Sequence, residues 1–139
     1  MTTEENKALG RLIYEKVYNE GKLGLIDEVY YKNYVGYNPP SEYRGPESLK
    51  QFVLANQSAF PDLKFIVEDQ IAEGDKVAIR WTGTGTHRGE FMGVAPTGKV
   101  VTSTGITVSR IASGKIVESW TNMDILGMMQ QLGAIPLPK

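Results

Sequence analysis

The 139-residue chain has no cysteine, a single histidine and no surplus of positive charge. Without cysteine, a disulfide framework and a thiolate metal centre are both excluded. One histidine rules out a multi-histidine metal site within one chain. No Asp-x-Asp-x-Asp calcium loop is present either, so neither a metal nor a cofactor is expected. Fifteen Lys and Arg stand against 16 Asp and Glu, for a net charge of -1, and no basic stripe is visible; this argues against a nucleic-acid partner. No apolar run approaches the ~20 residues of a membrane span, and the N-terminus lacks the basic-plus-apolar pattern of a secretion signal. The expectation is a cytoplasmic protein without a membrane partner.

What is present is an ordinary globular composition, 41% apolar and 22% charged, in a length that fits one domain spanning residues 1–139 with a sizeable core. The most informative stretch runs from Gly83 to Lys99. It holds five glycines, one proline and the only histidine, between two alternating apolar runs. Glycine permits positive φ and close backbone approach, and Pro96-Thr97-Gly98-Lys99 is turn chemistry. Two long strands are therefore expected to be joined by an elaborate connection, with Phe91 and Met92 at a pocket mouth.

Along the chain, Thr3 is positioned to cap a helix reaching about Glu20, with Leu9, Leu12, Ile13, Lys16 and Val17 at helical spacing. Leu23 to Tyr31 reads as a short second helix. Tyr34 to Pro40 reads as irregular, because Gly36, Pro39 and Pro40 interrupt both regular patterns. Gly45-Pro46 opens a third helix, with Leu49, Phe52, Val53, Asn56 and Phe60 as its inward stripe, stopped by Pro61-Asp62. From Leu63 the period changes to two. Phe65, Val67 and Asp69 alternate with Lys64, Ile66 and Glu68. After a turn at Glu73-Gly74-Asp75-Lys76, Val77, Ile79 and Trp81 alternate with Ala78, Arg80 and Thr82. Val100 to Ile111 and Ile116 to Met123 are two more strands about an Ala112-Ser113-Gly114-Lys115 turn. Asp124 precedes a last helix with Ile125, Met128, Met129 and Leu132 on one face and Gly133 as terminator; Ile135 to Lys139 is an extended tail. Helices first and a meander afterwards is an α+β arrangement, in which a curved sheet closed by helices leaves room for a small ligand.

Several segments together resemble one family. They are Tyr34-Val35-Gly36-Tyr37-Asn38-Pro39-Pro40, Gly45-Pro46-Glu47, Phe60-Pro61-Asp62, Thr84 to Gly93, Pro96 to Lys99, Gly114 to Trp120, Asp124 and Gln131-Leu132-Gly133. In this order they are similar to the SnoaL-like polyketide cyclases of the nuclear-transport-factor-2-like superfamily. The resemblance implies a conical barrel: a strongly curved, mostly antiparallel sheet closed by N-terminal helices around a hydrophobic cavity. It also implies a homodimer. The family's cyclases close a ring by an intramolecular aldol reaction without metal or cofactor, using an aspartate as acid/base. Aligned by eye, that aspartate falls at Thr121, a cavity histidine of the preceding strand falls at Thr107, and a histidine of many relatives falls at Tyr37.

Each candidate side chain has two readings. Asp124 is either an acid/base raised in pKa by apolar neighbours or a helix N-cap. His87 is either a proton shuttle at the mouth or a brace of the glycine-rich connection. Arg80 either orients a substrate carbonyl, pairs with Asp124 or faces solvent. Tyr37 and Asn38 either bind a ligand oxygen or shape the turn before Pro39. Trp120, Phe91 and Met92 either line a pocket or pack as core. Thr107 and Thr121 can donate hydrogen bonds but are not general bases near neutral pH. Three functions remain in view: a cyclase or isomerase acting on a small hydrophobic carbonyl compound, a non-catalytic carrier of such a ligand, and an epoxide hydrolase. The last is similar at Arg80 but lacks a carboxylate where Arg80-Trp81-Thr82 stands in place of Arg-x-Asp.

Overall fold

The architecture was taken from a computed structural model, which describes residues 2–137. Helix α1, Thr3–Leu12, is capped by Thr2 rather than Thr3. The Thr2 hydroxyl accepts from the Glu5 backbone N–H, and the Glu5 carboxylate accepts from that of Thr2, a reciprocal capping box. The helix continues as a π-helical turn, Ile13–Tyr18, in which the Tyr14 and Tyr18 ring centroids lie 5.3 Å apart. The inward face carries Asn6, Gly10, Ile13, Tyr14 and Val17. Gly10 lets the helix pack closely there: a Cβ would stand 2.7 Å from Ile79 Cδ1 and displace that methyl group. Helix α2 is shorter than the spacing predicts, Gly24–Val29.

The Tyr34 to Pro40 segment, expected to be irregular, belongs to strand β1, Tyr30–Asn38, which turns through Pro39-Pro40 into β2, Ser41–Arg44. Gly36 does not break the strand, because the Tyr34 ring lies over it in the space a side chain would take. Helix α3 is Gly45–Ala59. Four long strands follow as expected: β3, Lys64–Glu73; β4, Lys76–Thr86; β5, Val100–Ala112; β6, Lys115–Met123. Helix α4, Ile125–Leu132, ends at Gly133 in the left-handed region. Of the expected tail, Ile135 to Leu137 has no regular structure, and Pro138 and Lys139 lie outside the described residues.

The six strands form one curved, unclosed sheet in the order β2-β1-β6-β5-β4-β3, antiparallel except for β1 beside β6. A bulge between Val67 and Asp69 shifts the register of β3. Phe65 and Val67 share the inward face; beyond the bulge Gln70 and Ala72 take their place, and Asp69, which the alternation grouped with Phe65 and Val67, is exposed. On β4 and β5 the inward residues alternate strictly, from Val77 to Gly85 and from Val101 to Ile111. Helices α1, α2 and α3 cover this inner face. Their shared core is centred on Ile13, Val17, Ile26, Val53, Ile79 and Ile116. Among the described residues no helix is long and apolar enough to cross a membrane.

Candidate active site

The connection between β4 and β5 is where the glycine-rich segment acts. The Asp62 carboxylate accepts from the Thr86 backbone N–H at 2.6 Å and from its hydroxyl at 2.7 Å; these two donors hold its pKa below the ordinary carboxylate value. The chain then folds over the end of α3, with the N–H groups of Arg88 and Gly89 donating to the Ala59 carbonyl. A Cβ on Gly89 would collide with the Ser58 carbonyl. Reciprocal hydrogen bonds between Phe91 and Val94 make a tight turn, with Met92 and Gly93 at positive φ. Phe91 is thereby aimed inward and Met92 left half-exposed at the rim.

A cleft of about 630 Å³ opens beneath this turn, between α3 and the Pro39-Pro40 turn. Phe52, Phe91, Met92, Met123 and Ile125 supply its apolar wall, and Asn38, Glu42 and Glu90 are among its polar residues. Glu42 is tied to Arg44 at 3.0 Å; Glu90 is exposed at the rim. Asn56, Phe91 and Met123 also line a smaller inner pocket of about 50 Å³, walled by Phe60, Phe65, Trp81 and Met128. Cleft and inner pocket thus share three residues and adjoin each other, the one wide and the other narrow.

Behind Trp81 is a third space, about 40 Å³, lined by hydroxyls: Tyr14, Tyr34, Thr107, Ser109, Ser119 and Thr121 among them. Trp81 forms the partition, its indole N–H donating to Thr107 Oγ1 at 3.1 Å. Tyr14 Oη donates to the same oxygen at 2.9 Å. With both acceptor positions of Thr107 filled, its own proton goes to Thr121 Oγ1, 2.9 Å away. The Ser109 and Ser119 hydroxyls pair at 3.0 Å. Burial raises the phenol pKa values here: Tyr34 is pushed up to about 12, with the Ser119 hydroxyl working the other way, and Tyr14 higher still, with its hydrogen bond to Thr107 working the other way. A space of this size and polarity suits roughly two or three waters. It contains donors and acceptors but no carboxylate.

The predicted site residues separate into five places. Phe91, Met92 and Asn38 line the cleft. Thr107 and Thr121 meet in the hydroxyl chamber. Tyr37 and Trp120 face the other side of the sheet, stacked with ring centroids 6.2 Å apart, and Arg80 is exposed on that same outer face, opposite Ile106. Asp124 caps α4, accepting from the Gly127 N–H at 2.8 Å, and is exposed. His87 is 0% exposed and lies against Phe60. Its Nδ1 accepts from the Thr97 N–H at 3.2 Å, and it is absent from the lining of both cleft and pocket. Among the described residues no cluster of three or more His, Asp or Glu approaches a metal-binding arrangement.

Sequence reasoning did not single out Asn56, Ser103 and Glu90 as site residues, nor the tyrosines of the chamber. Asn56 sat in the helical stripe as a core position. Ser103 is one hydroxyl in a strand rich in them, and nothing local marks it. The tyrosines carried a detectable signal, since Tyr14, Tyr18, Tyr30 and Tyr34 are four of only seven in the chain and all fall before β2.

Comparison with known proteins agrees with this architecture. The family model for SnoaL-like polyketide cyclases matches residues 8–132. Aklanonic acid methyl ester cyclase DnrD of Streptomyces peucetius is 31% identical over 124 residues, which is 85% of this chain and 84% of DnrD. The crystal structure of AclR, a candidate hydroxylase from Streptomyces galilaeus, superposes with a TM-score of 0.87 at 34% identity, over 99% of this chain and 87% of AclR. TsrD from Streptomyces laurentii superposes with a TM-score of 0.88 at 28% identity, over 97% and 99% of the two chains. This chain belongs to the SnoaL-like polyketide cyclase family.

Proposed function

We propose that the protein binds a hydrophobic, polyketide-derived carbonyl compound in the cleft beneath Phe91 and closes a ring in it by intramolecular aldol addition. The observation that carries this reading is the pair of adjoining apolar pockets reaching from Met92 to Trp81, in a chain whose curated relatives are cyclases. In the reaction a base takes a proton from the carbon beside one carbonyl. The resulting enolate carbon attacks a second carbonyl carbon, and the alkoxide so formed takes the proton back. No atom is lost, so the step is an isomerisation that needs no cofactor. Holding the two carbons in contact supplies much of the acceleration. Of the two carboxylates on the cleft, Glu42 is occupied by Arg44, which leaves Glu90 as the group to move the proton.

A second reading, a carrier that binds without converting, is favoured by the hydroxyls at Thr107 and Thr121 and by the absence of any carboxylate from the inner pocket's lining. An epoxide hydrolase is disfavoured because Arg80 lies on the outer face. Aklanonic acid methyl ester is the test compound. Because closure leaves the mass unchanged, the product is followed by retention time and by loss of a ketone carbon resonance. Saturable binding with conversion, lost in Glu90→Gln, is the expected result. Saturable binding with no conversion establishes the carrier, and absence of binding refutes both readings.

A further inference from the structure

The inner face of β5 carries three buried hydroxyl side chains, Ser103, Thr107 and Ser109. Two are satisfied across the sheet: Thr107 by Thr121, and Ser109 by Ser119. Ser103 is not. On one side its partner on β4 is Gly83, which has no side chain to offer. On the other side the β5–β6 register ends at Gly105 and Met123, so Ser103 lies beyond the neighbouring strand. Its Oγ is buried without a hydrogen-bond partner, in a residue only 7% exposed. Leaving a buried hydroxyl unpaired is costly, and native structures seldom do so without a reason.

The surroundings say what kind of group would pair with it. Ser103 lies in the wall of the inner pocket, otherwise built from Phe60, Phe65, Trp81, Phe91 and Met128. The other polar side chain there is Asn56, which also reaches the outer cleft. At about 50 Å³ the pocket admits a few heavy atoms, one water needing roughly 10–15 Å³. A water there would find only the minimum of two polar side chains, Ser103 and Asn56, and apolar walls elsewhere. A short, mostly apolar arm ending in an oxygen fits better.

We propose that Ser103 and Asn56 form a hydrogen-bonding seat for a ketone oxygen in the inner pocket, so that the ligand inserts a small acyl arm past Phe91 and leaves its ring system in the outer cleft. The Ser103 hydroxyl and the Asn56 amide N–H both donate, and a ketone oxygen has two lone pairs to accept them. Ser103 is then a determinant of specificity: it rewards a carbonyl arm and penalises an isosteric hydrocarbon, which would leave the hydroxyl unpaired. This rests on the cleft being the ligand site, as proposed above.

The test uses two probes of equal shape, 2-acetylnaphthalene and 2-isopropenylnaphthalene, in which CH₂ replaces the carbonyl oxygen. Their dissociation constants are measured by tryptophan fluorescence on the parent protein and on Ser103→Ala. Comparing the ratio of the two constants between proteins cancels the difference in hydration of the probes. The preference for the ketone is expected to fall about tenfold in Ser103→Ala, the size of one well-made buried hydrogen bond, while affinity for the hydrocarbon holds or improves. An unchanged ratio overturns the proposal and leaves the cleft reading intact; failure of both probes to bind the parent protein overturns that reading and the proposal together. Thermal unfolding adds an independent readout. Ser103→Ala removes an unsatisfied group, so the ligand-free midpoint should stay level or rise. A marked fall would mean that Ser103 serves the fold instead, and would overturn the assignment.

Discussion

The hydroxyl chamber predicts how the protein fails in base. Tyr14, Tyr30 and Tyr34 are 4–6% exposed, and burial is the largest cause raising each phenol's pKa, Tyr34 to about 12 and the other two above their ordinary value. Tyr18 is displaced the same way but is only partly buried, so it contributes less than these three. A phenol in the unfolded chain releases its proton near pH 10. Above that pH the folded state holds protons that the unfolded state has lost. The linkage slope is therefore negative: the stability is fully present below pH 10 and drains away as pH rises toward and beyond 12. One unit above the unfolded value, each retained proton costs about 1.4 kcal/mol, or about 4 kcal/mol for the three. Against a typical domain stability of 5–15 kcal/mol, unfolding is expected between about pH 11 and 12. Absorbance at 295 nm, recorded beside far-UV circular dichroism, checks this. Exposed tyrosines such as Tyr31 should titrate gradually near pH 10, and the buried group should appear in one step together with loss of secondary structure. Tyr34→Phe should remove one proton from that step. Smooth ionisation of all seven tyrosines with the dichroism unchanged would refute the sealed chamber. The same shifts carry a functional consequence: near neutral pH these groups are fixed donors and not bases.

Two further outcomes follow from particular positions. Asp124→Asn keeps a capping side chain at the start of α4, so it should cost no more than about 1 kcal/mol in denaturant unfolding and leave turnover unchanged. A loss of 10²–10⁴-fold in rate would instead make Asp124 an acid/base. The outer sheet face exposes Ile106 (48%) beside Val108 and Trp120, and a second copy is the proposed cover. Light scattering is expected to show a dimer that Ile106→Lys dissociates, and a concentration-independent monomer in the parent protein would end that proposal.

Much of the fold was legible along the chain. Strands β3 to β6 follow one another through short connections or the glycine-rich one, so their period of two is visible locally. Helix α3 and the capped start of α4 announce themselves by proline and aspartate. Strand β1 was not legible. Its partner β6 runs parallel to it and pairs Tyr30 with Ile116, far along the chain, and Gly36 and the prolines looked like breaks because the Tyr34 ring that fills the glycine's place is invisible in one dimension. The faces of Asp69 and Trp120 were equally hidden, since irregularities in the β3–β4 and β5–β6 registers change which residues turn inward without leaving a mark in composition.

The candidate site divides along the same line. By itself the sequence determined what the site is made without, namely thiolates and clustered histidines, and it located the glycine-rich connection that sets Phe91 and Met92 over the cleft. Those are properties of residue identity and local backbone freedom. Only the tertiary structure decided that Thr107 and Thr121 stand behind Trp81, that Arg80 and Trp120 turn away from the cleft, that Asp124 is occupied as a cap, and that Ser103 is left unpaired in an apolar pocket. Each of those depends on which strand lies alongside and where it ends. A hydroxyl's partner is chosen by neighbours brought together in space, and no spacing along the chain encodes them.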